Sequence, residues 1–173
     1  MSHRELVNGL PTIEFQQIVC DTCVMAKQHR ERIPRKSHSR ATRPLQLIHT
    51  DLCGPFAISS IHGARYLLTF IDDHSRFTWV YFLRSKDETF CKFKEFRAMI
   101  EKELGHNISC LHSDRGGEYL STEFKHFCDQ FGIQRQLTLA RTPQQNGVAE
   151  RKNLTLLEAA RSLQISGDVP LFL

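Results

Sequence analysis

The sequence predicts an α/β domain, a mixed five-stranded sheet flanked by helices. Three observations lead there. Three short runs rich in apolar, aromatic and β-branched residues follow one another between residues 45 and 83, with no helical stretch between them. From residue 86 onward, helix-like and strand-like patterns alternate. The two helix patterns before residue 133 each stop at a glycine, Gly105 and Gly132. Consecutive strands imply an antiparallel meander, and strand–helix–strand passages imply parallel, right-handed crossovers. A mixed sheet satisfies both.

The elements follow in order. Leu45 to Cys53 is apolar and ends at Gly54-Pro55, so it reads as a buried strand. Arg65 to Asp72 and Phe77 to Leu83 read as the second and third strands, with Asp72, Asp73, His74 and Ser75 as the turn between them. A long helix is expected from about Lys86 to Leu104, with Phe90, Phe93, Arg97 and Ile100 at helical spacing. A short strand, Ile108 to His112, leads to Asp114 and a Gly116-Gly117 turn. A second helix, about Ser121 to Phe131, places Phe124, Phe127 and Phe131 on one face. Ile133 to Leu137 is the fifth strand, Thr138 to Gly147 a mobile loop, and Val148 to Leu163 the final helix.

Composition narrows the classes. The chain of 173 residues has room for one ordinary domain and an appendage. Residues 1–26 carry a cysteine pair, residues 27–44 read as a basic linker, and residues 45–173 form the domain. No apolar run is long enough to span a membrane, and MSHRELVNGL has no apolar region of the secretory kind. Six cysteines without such a signal argue against a disulfide scaffold. Cys53, Cys91, Cys110 and Cys128 are scattered and read as small buried apolar residues. Net charge is only +4, yet Lys27, Arg30, Arg32, Arg35, Lys36, Arg40 and Arg43 crowd together against one acid, Glu31. That stretch suits a polyanion such as nucleic acid, or is simply a solvated linker.

Three acids carry the functional signal: Asp51 in LIHTDLCGPF, Asp114 in LHSDRGGEY and Glu150 in TPQQNGVAERKN. A charge inside the apolar first strand is costly unless it is hydrogen-bonded, paired or metal-bound. Asp114 stands at a strand end before Gly-Gly, where backbone can approach a ligand. Glu150 opens the last helix, and Leu154, Leu157 and Arg161 share its face, so that face is expected to pack on the sheet. Carboxylates gathered from distant positions suit two Mg²⁺ ions that clamp the attacking and leaving oxygens of a phosphoryl transfer. Taken singly, each acid has a plain alternative: a strand end, a turn and a helix N-terminus.

The contexts decide between these readings. HTDLCGP at 49–55, YLLTFIDDHSRFTWVYFL at 66–83, SDRGGEYLSTEF at 113–124 and TPQQNGVAERKN at 142–153 closely resemble the integrase core of copia-type LTR retrotransposons. The resemblance spans about residues 6 to 173 and implies a ribonuclease-H-like fold. It implies that Asp51, Asp114 and Glu150 are the catalytic carboxylates and hold two Mg²⁺ or Mn²⁺. The implied reaction is processing of element cDNA ends and attack of their 3′-hydroxyls on target DNA, in the nucleus, by a multimer on DNA. Gln145 and Asn146 are expected to approach DNA near the reacting phosphate, with Arg151 and Lys152 as phosphate contacts or as a solvated helix face.

CDTCVMAKQHR at 20–30 resembles the end of the zinc-binding module that precedes this core. Cys20 and Cys23 are half of a tetrahedral Zn²⁺ site, or two free thiols. The family's two histidines would lie before Met1, and His29 or His38 would have to replace them. Leu154 stands where the family usually has Arg, which would remove a DNA contact. The chain thus reads as a fragment of a transposon polyprotein, expected to fold and bind metal but to support paired-end insertion weakly. Two other readings stay open: a ribonuclease-H-type nuclease, and an inactive DNA-binding remnant.

Overall fold

The computed structural model describes residues 40–138 and 146–166, all within the unit Lys36–Leu173. Cys20, Cys23, the basic residues from Lys27 to Lys36, and Gln145 lie outside the described residues. Five strands are present: β1 (Ile48–Cys53), β2 (Tyr66–Asp72), β3 (Thr78–Leu83), β4 (Cys110–Ser113) and β5 (Gln134–Leu137). The helices are α1 (Glu88–Leu104), α2 (Gly117–Leu120), α3 (Thr122–Gln130) and α4 (Gly147–Ser166). The sheet order is β3-β2-β1-β4-β5. β1 to β3 form an antiparallel meander, and β4 runs parallel to both β1 and β5. This is the mixed sheet that the element order requires, and it leaves β1 in the centre. Among the described residues no helix is long and apolar enough to cross a membrane.

One face of the sheet builds an aromatic core. Ile48, Leu68, Phe70, Leu83 and Leu111 meet Phe93, Phe96 and Ile100 of α1 and Phe124 and Cys128 of α3, all buried. Phe70 stacks on Phe96 with ring centroids 4.3 Å apart, and Phe93 stacks on Phe124 at 5.1 Å. Phe96→Ala removes a fully buried ring at this junction. It is expected to destabilise the chain by roughly 3–5 kcal/mol, read from urea unfolding. A loss below about 1 kcal/mol would contradict this packing. Thr50 reaches the same side, and its hydroxyl lies 3.0 Å from the buried Tyr119 hydroxyl. The opposite face is covered by α4, which packs on β1 and β2.

Glycines punctuate the frame as expected. α1 ends at Gly105, φ 65, whose N–H donates to the Glu101 carbonyl. β1 ends at Gly54, φ 132, where a Cβ would lie 2.6 Å from the Arg65 carbonyl oxygen.

Several expectations are corrected. β1 begins at Ile48 rather than residue 45, because Leu45 is a turn residue with φ 59 whose N–H donates to Asp72 Oδ1 at 3.0 Å. Asp72 is itself buried at the end of β2, with Oδ2 accepting from the Ser75 N–H and hydroxyl. Neighbouring Asp73 accepts from the Ala41 N–H at 2.8 Å, so the DDHS turn holds residues 41–45 against the domain. After Asp114 the chain makes not only a turn but the short helix α2. Phe131 does share the face of Phe127, with ring centroids 4.8 Å apart, but it is 41% exposed, and the Arg97 guanidinium covers its ring at 3.5 Å. Cys91 is exposed and Cys53 half-buried, so only Cys110 and Cys128 behave as buried apolar residues.

The largest correction concerns α4. Leu154, expected to pack on the sheet with Glu150, is 54% exposed, and Arg161 is exposed too. The buried residues are Ala149 and Asn153, one helical turn apart. The helix is rotated so that a polar side chain faces the sheet, and the site explains why.

Candidate active site

Asp51 sits in the middle of β1, opposite Thr69 of β2, on the face that α4 covers. Both of its oxygens are held. Asn146 Nδ2 donates to Oδ1 at 3.0 Å, and Asn153 Nδ2 donates to Oδ2 at 2.7 Å. The Thr69 hydroxyl donates to Asn153 Oδ1 at 3.0 Å, which fixes the amide's orientation. This network turns Asn153 inward and Leu154 outward. A half-buried carboxylate with strong donors outweighs the burial of one leucine, because a desolvated charge left without partners is costly.

Asp114 lies just past β4, where Oδ1 accepts from the Gly116 N–H at 2.9 Å. The adjacent Arg115 Nε donates to the Thr138 carbonyl at 2.9 Å, joining this loop to the end of β5. Glu150 stands exposed on the first turn of α4. Glu118, which sequence reading passed over, joins these acids. A Cβ on Gly116 would meet Glu118 Oε1 at 2.5 Å, so its carboxylate folds back over the Asp114 loop. The available signal was its position four residues after Asp114 in a turn-forming stretch.

Burial pushes the Asp51 carboxyl up to about 6, the bond from Asn153 opposes this, and the charges of Asp114, Glu150 and Glu118 push it further up. Acids from the β4 end, α2 and α4 thus all act on Asp51. Among the described residues, however, no group of three or more His, Cys, Asp or Glu side chains is close enough to hold one metal ion together. The donors are nevertheless of the kind hard cations take, carboxylate oxygens that repel each other when ionised. Asn146 Oδ1 adds a buried oxygen with no hydrogen-bond partner among the described residues. The donor chemistry therefore fits a hard divalent cation.

The expected DNA contacts fall differently. Asn146 is buried and bonded to Asp51, so its amide is engaged inside the site. Arg151 is exposed and Lys152 half-buried on α4, and Gln145 lies outside the described residues.

A five-stranded mixed sheet of this order, with acids on the central strand, its parallel neighbour and the covering helix, defines a ribonuclease-H-like fold. The same fold occurs in a chain of a simian T-cell lymphotropic virus intasome, solved in complex with PP2A regulatory subunit B56 gamma. The TM-score is 0.64 at 19% identity, over 88% of this chain and 52% of that one. Residues 41–143 match the integrase core domain family, and the chain belongs to that family. It is 45% identical over 151 residues to the retrovirus-related Pol polyprotein of transposon TNT 1-94 from Nicotiana tabacum, covering 87% of this chain and 11% of that protein. The Pol polyprotein of transposon RE2 from Arabidopsis thaliana is 31% identical over 94% of this chain and 11% of its own length. The transposon Ty1-DR4 Gag-Pol polyprotein from Saccharomyces cerevisiae is 31% identical, over 93% and 10%. The chain thus spans about a tenth of the length of these relatives.

Proposed function

We propose that this chain is the catalytic domain of a retrotransposon integrase, performing metal-dependent polynucleotidyl transfer that joins element cDNA ends to target DNA. The observation that carries the reading is the treatment of Asp51, a carboxylate in the central strand fixed through both oxygens and within electrostatic reach of three further acids. A binding module has no need to hold a destabilised carboxylate so firmly.

Asp51, Asp114 and Glu150 are the residues that would hold two Mg²⁺ or Mn²⁺ ions. Such ions supply charge neutralisation at the phosphate and lower the pKa of the attacking hydroxyl or water. Asn146 and Asn153 orient Asp51 so that its oxygens keep one direction. Exposed Arg151 and half-buried Lys152 receive DNA phosphates, Gln145 approaches DNA near the reacting phosphate, and Asn146 serves Asp51 first. The partners are the element's DNA ends and target DNA, engaged by a multimer in the nucleus. Cys20 and Cys23 remain a proposed zinc half-site.

The test is disintegration of a branched DNA that mimics an integration product, with Mg²⁺ or Mn²⁺. Resolution of the branch supports the reading. Cleavage of an RNA–DNA hybrid instead would favour a ribonuclease H, and binding without any cleavage a DNA-binding remnant.

Metal binding should also release protons. The carboxyl of Asp51 titrates near 6 in the fold, above its ordinary value of 3.8. The folded state therefore holds its proton more tightly than the unfolded state. That stability is present below about pH 4 and is lost as pH rises through about 6. A cation reverses the preference for the protonated form. Calorimetry of Mn²⁺ binding in buffers of different ionisation enthalpy should show about half a proton released at pH 6, falling toward none at pH 8. Equal release at both pH values would contradict the assignment.

A further inference from the structure

Two imidazoles and a carboxylate lie on the sheet face that carries the acids, and the proposed chemistry gives them no task. His49 precedes Asp51 by two residues on β1, and His112 stands on β4 two residues before Asp114, which lies just past that strand. Strand alternation puts His49 on the face that carries Asp51, and His112 is paired with His49 on that same face. β1 and β4 pair over only two rows, Ile48 with Leu111 and His49 with His112. The histidine row is the last before Asp51 and Asp114, and past it the β1–β4 ladder stops.

His49 Nδ1 lies 3.3 Å from His112 Nδ1, with the rings edge to face. Two ring nitrogens at that distance share one proton, one donating and the other accepting. On its other side, His49 Nε2 lies 3.1 Å from Asp73 Oδ1. An ionised carboxylate only accepts, so His49 Nε2 carries a proton. Asp73 already has a cation, Arg76, at 3.1 Å, and its Oδ2 takes the Ala41 N–H. Arg76 already neutralises Asp73, so His49 need not be charged to hold it. A neutral His49 accepts at Nδ1, and His112 is the donor with its proton on Nδ1. The chain of donors runs from His112 to His49 to Asp73, anchored by Arg76 and the Ala41 backbone. Among the described residues this is the only side-chain hydrogen bond that joins β1 to β4. Asn146 and Asn153 hold Asp51 from the α4 side and place no restraint on Asp114.

We propose that His112, held through His49 and Asp73, is a positioning residue that sets the separation of Asp51 and Asp114. The proposal rests on reading those two acids as partners in one cation site. The pair closes the last row of a two-row ladder, so without it the ends of β1 and β4 can splay and the acids drift apart. The donor on His112 matters, not merely its bulk. Asn at 112 presents an N–H near the Nδ1 position, whereas Gln carries its amide one bond further out.

The experiment uses the full chain, uniformly ¹⁵N/¹³C-labelled, with two variants, His112→Asn and His112→Gln. In the parent, imidazole ¹⁵N spectra should show His112 as the Nδ1–H tautomer and His49 as the Nε2–H tautomer. Both rings as Nε2–H with free Nδ1 atoms would overturn the proposal without any variant. Without metal, the Asp51 and Asp114 carboxyl ¹³C signals should stay near the parent in His112→Asn and move in His112→Gln. Equal shifts in both folded variants, or none in either, would overturn it. With Mn²⁺ as the probe, His112→Gln should bind about tenfold or more weakly, and His112→Asn close to the parent. Equal binding by His112→Gln and the parent would overturn the proposal. A parent that binds no Mn²⁺ but shows the tautomers and carboxyl response would defeat the cation reading and leave the positioning intact. Should His112→Gln fail to fold, the parent tautomers and His112→Asn still decide.

Discussion

Glu150→Gln is expected to reduce disintegration of branched DNA about a thousandfold or more while leaving the fold untouched. The magnitude follows from the loss of one anionic ligand. Metal stabilisation of phosphoryl charge contributes several kcal/mol, and each 1.36 kcal/mol is a factor of ten in rate. Gln keeps the size and an oxygen but removes the charge. The separation from folding follows from exposure. Glu150 stands in solvent on the first turn of α4, while Ala149 and Asn153 anchor the helix. The variant should therefore unfold within about 0.5 kcal/mol of the parent. Activity near that of the parent would remove Glu150 from the site. Loss of activity together with loss of folding would show that the helix anchor had been misread.

Asn153→Ala should have the opposite profile, with damage to fold and site together. It deletes the 2.7 Å donor to Asp51 and the acceptor of the Thr69 hydroxyl. One of those bonds goes to a carboxylate and the other is neutral, so the combined cost is about 2–4 kcal/mol. The bond from Asn153 also holds the Asp51 carboxyl down against burial and its acidic neighbours. Its removal should move the titration of Asp51 above about 6. The sign is fixed by linkage. A higher folded-state pKa extends upward the pH range over which the metal-free fold loses stability. Urea unfolding from pH 4 to pH 8, with the Asp51 carboxyl followed by NMR, measures both effects. An unchanged unfolding midpoint with an unchanged Asp51 titration would show that Asn153 does not hold the acid.

The two substitutions separate what could be seen in the chain from what could not. Asp51 was conspicuous because a charge in an apolar strand demands an explanation, and β1 does carry it centrally. Asp114 and Glu150 were marked by the turn and helix start beside them, and both stand where those signals put them. The mixed character of the sheet also followed from local patterns, since a meander followed by crossovers requires both antiparallel and parallel neighbours, while the strand order came from the structure. Asn153 carried no such mark. Apolar periodicity favoured Leu154 as the packed residue, and the amide was indistinguishable from a solvated one. Its burial depends on Asp51 and Thr69, 102 and 84 residues away in sequence. Glu118 was missed because the short helix after Gly116 is held by contacts beyond its own residues, through Tyr119 to Thr50.

By itself, then, the sequence determined the five strands, the long helices, the family and which acids to propose for the site, because strand and helix periods, glycine stops and motif contexts are local properties. Only the tertiary structure decided which way α4 turns, which amides grip Asp51 and how the two histidines tie β1 to β4. Those outcomes turn on the cost of desolvated polar and charged groups left without partners, and the partners come from distant segments that no local pattern relates.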